Sequence, residues 1–140
     1  MKFILITLLA AVLSLKDSPQ TLVNLNVLNI KANKGIIQVL IFKSQDGFPE
    51  DIDKAVKSLS IPVKNFSASV VIEDLSPGKY AVSLFHDEDG DGKLKKNSVG
   101  LPIERYGFSN NPTLFFGPPS FSKCAFSVGS SPVLIEISLK

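Results

Sequence analysis

The densest chemistry in the chain lies in one nine-residue run, His86-Asp87-Glu88-Asp89-Gly90-Asp91-Gly92-Lys93-Leu94. Asp87, Asp89 and Asp91 take alternate positions, so their carboxylates can turn toward one centre. Counting from Asp87, Gly92 stands sixth and the apolar Leu94 eighth. This is the first half of an EF-hand-type calcium loop. The sixth-position glycine allows its sharp turn, and the backbone carbonyl of the seventh residue, here Lys93, adds an oxygen ligand. The second half diverges. The twelfth residue is Ser98, where a bidentate Glu would stand, and Lys93, Lys95 and Lys96 offset most of the loop's negative charge. A calcium site here needs a distant ligand, with Glu104 the candidate, together with water. Its affinity then falls at the weak end, on the order of 0.1–1 mM. The metal-free alternative stays open, because Asp and Gly also build Asx turns in plain polar connections. Against it, four carboxylates within five residues repel one another, which favours a cation.

His86 is the sole histidine. Beside Asp87 it has the chemistry of a general base or a zinc ligand. Zinc would require Cys124 and Glu104 as partners, at spacings that carry no signal. A histidine that ends a strand and is hydrogen-bonded to a loop is the plainer reading. The chain has no Gly-x-Ser-x-Gly or His-Glu-x-x-His pattern and no visible convergence of nucleophile, base and stabiliser. The expectation is a non-enzymatic protein, with a hydrolase using His86 and the adjacent carboxylates as the lesser alternative. Cys124, the single cysteine, forms no internal disulfide and reads as a buried, inert thiol.

A second region follows, in which Tyr106, Phe108, Phe115, Phe116 and Phe121 are interleaved with Gly, Pro and Asn. Exposed, it would be an apolar patch for a ligand, glycan or partner. Packed down, it would be a lid over one end of the fold, with Arg105 or Tyr106 partly exposed. Arg105, Tyr106 and Phe108 are the candidate binding residues, and packing is the favoured reading.

These loops must hang on a frame. Residues 22–30 alternate Leu25 and Val27 with Asn24 and Asn26, the period of a strand. The β-branched run 35–42 is too apolar for a surface strand and reads as a central one, joined to the first by an Asn33-Lys34-Gly35 hairpin turn. Residues 66–75 alternate again, and Ser76-Pro77-Gly78-Lys79 turns the chain into a strand over 80–85. Residues 121–128 and 133–139 form the last two strands. Between 49 and 59 the period changes. Ile52, Ala55, Val56 and Leu59 fall on one face of a short helix, with acids at its start and lysines at its end. The sum is an all-β, immunoglobulin-like or transthyretin-like antiparallel sandwich of about seven strands, with one short helix and one long loop.

Composition bounds the rest. Residues 1–14 have a basic start at Lys2, an apolar run of about a dozen residues and small residues near Ser14. This is the layout of a secretory signal peptide cleaved near Ser14, too short to span a bilayer. A single domain over residues 20–140 remains, expected to be secreted or periplasmic and monomeric, with no integral membrane segment. Its partner would be a small ligand or a protein. The net charge of +2 and the scattered lysines exclude a nucleic-acid footprint.

Several blocks occur in one order: Ser-Pro-Gly-Lys-Tyr-Ala-Val, His-Asp-Glu-Asp-Gly-Asp-Gly-Lys-Leu, Gly-Leu-Pro-Ile-Glu, Tyr-Gly-Phe-Ser-Asn-Asn and Gly-Pro-Pro-Ser-Phe. Together they resemble the bacterial domain of unknown function 2141 family over residues 35–139. The resemblance implies an exported β-sandwich with no established activity. The family pattern carries an acidic residue shortly after the Gly-Lys-Leu step. Lys95 and Lys96 stand there in this chain, which weakens the calcium reading.

Overall fold

A computed structural model describes residues 21–140. The signal-peptide reading of residues 1–14 and the start of the domain at residue 20 lie outside that range. The strands are β1 (Thr21–Leu28), β2 (Ile36–Phe42), β3 (Lys57–Pro62), β4 (Ala68–Leu75), β5 (Gly78–Asp87), β6 (Tyr106–Phe108), β7 (Phe126–Val128) and β8 (Val133–Ser138), and the one helical turn is α1 (Phe121–Cys124). They form two sheets. One has the order β4-β1-β8. The other has the order β3-β2-β5-β6, with β7 paired to the start of β5. The all-β sandwich expected from the sequence is what forms.

Alternation builds the interior. Val23, Leu25 and Val27 of β1 meet Ile37, Val39 and Ile41 of β2, with Tyr80, Val82 and Leu84 of β5 and Ile135 and Ile137 of β8 in the same cluster. Each buried Val, Leu or Ile contributes about 1.5–3 kcal/mol over its exposed state. The opposite face of β2 and β5 is apolar too. Phe42, Phe48, Ala81, Phe108 and Cys124 make a second cluster on the outside of the larger sheet, under α1. At its Phe42 end β2 is covered on both sides, and it lies centrally between β3 and β5 as the sequence predicts.

Four local expectations are corrected. Residues 49–59 are not helical. Ile52 and Val56 are exposed, Ala55 packs on the outer cluster and Leu59 faces the main core from β3. The spacing of these four was coincidental, and pairing Leu59 with Val39 overrode it. Strands β1 and β2 do not pair as a hairpin, since Asn33-Lys34-Gly35 carries the chain from one sheet to the other. Residues 121–128 split into α1 and β7. Finally, the sandwich is not wholly antiparallel, because β8 lies parallel to β1, from Val23 opposite Val133 to Leu28 opposite Ser138.

The turn from β4 to β5 also changes sheets. Tyr80, buried just past it, donates its hydroxyl proton to the Ser76 carbonyl at 2.6 Å. A tyrosine hydroxyl bonded to backbone a few residues upstream, at a crossing between sheets, is the tyrosine corner of immunoglobulin-like sandwiches. Tyr80→Phe keeps the ring and removes this bond. It should lower unfolding free energy by about 1 kcal/mol, read by denaturant titration, and an unchanged midpoint would show that the corner contributes nothing.

Candidate functional site

The acidic run begins inside β5. Alternation along that strand sends His86 inward with Leu84, and sends Asp87 outward with Ser83 and Phe85. Both residues are fully buried. His86 Nε2 lies 2.7 Å from the Lys34 carbonyl oxygen, and its backbone N–H donates to the Arg105 carbonyl at 2.8 Å. The ring ends a strand and is tied to a loop, the plain reading from sequence. Gly35 packs against the same point. Its φ is +77°, and a Cβ on it would lie 2.4 Å from the Asp87 carbonyl oxygen, so only glycine fits this turn.

Asp87 is the anchor of the loop. Its Oδ2 accepts the Gly92 N–H at 2.8 Å and the Gln38 side-chain amide at 3.1 Å. Its Oδ1 is buried with no hydrogen-bond partner. Beyond it the backbone curls through Asp91 N–H to Asp89 at 3.4 Å and Lys93 N–H to Asp91 at 2.9 Å. One carboxylate oxygen from each of Asp87, Asp89 and Asp91 lies within 4.8 Å of the others. These three could hold a metal ion.

The remaining candidates divide. Glu104 stands outside the triad and accepts the Lys95 backbone N–H at 3.1 Å. The Lys93 side chain makes no ion pair among the described residues, while its backbone stays in the loop. Lys96 turns away and pairs with Glu50 at 3.0 Å. Of the three lysines that offset the loop's charge, only Lys95 reaches the triad, donating to Asp89. That bond holds the Asp89 carboxyl down at about 2, against an ordinary 3.8, and raises the Lys95 ammonium in turn.

The aromatic region is partly packed and partly open. Tyr106, Phe108 and Phe121 join the outer cluster. Phe115 and Phe116, by contrast, are 80% and 100% exposed, so the packed-lid expectation holds for only part of the segment. Arg105 is half-buried and contributes its carbonyl to His86. Cys124 is fully buried, and burial pushes its thiol up to about 11. Between the aromatic tip, the 92–102 loop and residues 47–52 runs a groove of about 1210 Å³ over the outer face of β3-β2-β5-β6. Tyr106 and Phe108 line it, and Arg105 does not. Sequence reasoning missed this groove and missed Gln38. The signal for Gln38 was available, since it is the single polar residue in the apolar run of β2.

A family model described as an uncharacterized protein conserved in bacteria (DUF2141) matches residues 25–136, which takes in both sheets and both loops. The chain belongs to this family. The blocks that carry the resemblance in the sequence therefore belong, in this family member, to the acidic loop, the tyrosine corner and the aromatic wall of the groove. No curated protein and no solved structure matches the chain. Among the described residues, no helix is long and apolar enough to cross a membrane.

A carboxyl whose acidity is raised by a folded-state partner adds stability above its unfolded pKa and loses it as pH falls through the folded value. For Asp89 that window runs from about 3.8 down to about 2, and its exposure keeps the effect small. Lys95→Gln should return the Asp89 titration, followed by carboxyl NMR, toward 3.8. An unmoved midpoint would mean that Lys95 is not the cause.

Proposed function

We propose that the chain is an exported, non-enzymatic β-sandwich module whose acidic loop holds a calcium ion between Asp87, Asp89 and Asp91. The observation that carries the metal reading is the orphan oxygen of Asp87. A buried carboxylate oxygen with no donor costs on the order of 1–3 kcal/mol or more, and a bound cation removes that cost. Hard oxygen donors in a flexible loop suit calcium over zinc. The Lys93 carbonyl supplies a fourth oxygen by its place in the loop. Water fills the position for which Glu104 was the sequence candidate, since Glu104 is engaged with Lys95.

Lys95 is the competing cation. A calcium ion must displace its ammonium from Asp89, which keeps affinity in the range on the order of 0.1–1 mM. Such an affinity has use where calcium is abundant, outside the cytoplasm, and so agrees with the leader-like pattern of residues 1–14. The non-enzymatic reading is supported by the inward, fully buried placement of His86, which has no path to a substrate. Secretion or release to the periplasm, and a monomeric state, complete the proposal.

Calcium at ten to a hundred times its Kd should stabilise the fold by about 1.4–2.7 kcal/mol, a rise of several degrees in Tm. Asp89→Ala should abolish the rise and Lys95→Gln should enlarge it at equal calcium. A Tm indifferent to millimolar calcium in both the parent and Lys95→Gln sinks the reading.

A further inference from the structure

The groove beside the loop offers a different chemistry, and its case does not rest on calcium. Its floor is the outer face of the larger sheet, where three polar side chains are already engaged, while the Ser58 and Tyr106 hydroxyls make no side-chain hydrogen bond among the described residues. Ser60 donates to the Gln38 side-chain oxygen at 2.6 Å, the Gln38 amide donates to Asp87, and Ser83 donates to the Pro49 carbonyl at 2.6 Å. A ligand lying over them meets satisfied groups, so an apolar body displaces water there at little polar cost.

The walls are apolar. Leu40, Phe85, Leu94, Leu101 and Phe115 face the groove. Leu101 is 60% exposed in addition to Phe115, and two such side chains on facing loops form an apolar rim that water covers poorly. The charges on the lining are three. Lys96 and Glu50 cancel across the mouth through their ion pair. Lys93 is left as the uncancelled cation, and its backbone is pinned by its N–H bond to Asp91. The groove therefore presents a mostly apolar trough with one uncancelled positive charge, Lys93, beside the acidic loop.

We propose that this groove binds an elongated anionic amphiphile, its carboxylate or equivalent head at Lys93 and its apolar body along Leu40, Phe85, Leu101 and Phe115. The volume exceeds what a small polar metabolite would fill.

The test is calorimetric titration in the presence of a chelator, so that calcium plays no part. Decanoate below its micellar concentration is compared with decyltrimethylammonium. Saturable binding of one decanoate per chain is expected, with the cationic analogue weaker by on the order of tenfold. Lys93→Glu should weaken decanoate several-fold and narrow the preference between heads. Leu101→Asp should weaken both ligands. Lys64→Glu, a lysine outside the groove, should change neither, and the melting temperature of each variant reports the fold. Equal affinity for the two heads, loss of equal size in Lys64→Glu, or no saturable binding overturns the proposal. So does attachment to anionic phospholipid vesicles without binding of monomeric decanoate. Any of these leaves the calcium titration of the preceding section unaffected.

Discussion

From Tyr80 onward every side chain of strand β5 but the half-buried Phe85 is buried, and both of its edges are bonded, to β2 along its length and to β6 and β7 elsewhere. One strand must therefore satisfy two interiors through strict alternation. Even-numbered side chains enter the core between the sheets. Odd-numbered ones enter the outer cluster and the groove. A slip of a single residue would exchange the two sets, so the register of β5 fixes the whole molecule. The tyrosine corner at one end and the Asn33-Lys34-Gly35 turn at the other hold that register.

The same alternation sorts two adjacent titratable residues into different roles. His86 falls on the inner face, where its Nε2 meets the Lys34 carbonyl and its Nδ1 is buried with no partner among the described residues. Asp87 falls on the outer face, where the sheet ends and the acidic loop begins. Its carboxylate is shared between the loop, through Gly92, and the groove floor, through Gln38 and then Ser60. The loop and the groove are two sides of one carboxylate. Anything that changes the charge around Asp87 is felt by the floor on which a ligand would lie.

Much of this frame was legible in the chain. Period-two runs located β1 and β4, an apolar β-branched run located β2, turn residues marked off β5 and β8, and the Asp spacing located the triad. What escaped has a common cause. The false helix over 49–59 rested on four apolar residues whose destinations are three different environments, a distinction that spacing does not encode. The parallel pairing of β1 with β8 joins residues 110 apart, from Val23 with Val133 to Leu28 with Ser138, and no local pattern announces it. Lys95 and Lys96 are neighbours in sequence and looked equivalent, yet one neutralises Asp89 and the other clasps Glu50 across a groove. That groove draws on several separate segments, so no single stretch contains its signature. Only Gln38, polar where its neighbours are apolar, hinted that the outside of the sheet had work of its own.

The parallel alignment of the first and last strands also sets a polarity. The strand that opens the described chain begins at Thr21, opposite Leu75, with Val23 opposite Val133, while its other end at Leu28 and the far end of β8 at Ser138 lie toward the Asn33-Lys34-Gly35 turn, which leads into β2 beside Asp87. Thr21 therefore lies at the end of β1 away from the acidic loop, while Lys140, whose backbone is bonded to Tyr106, lies beside the groove wall that Tyr106 helps to form. The two ends of the described chain thus stand next to different surroundings, set by the direction of two adjacent strands.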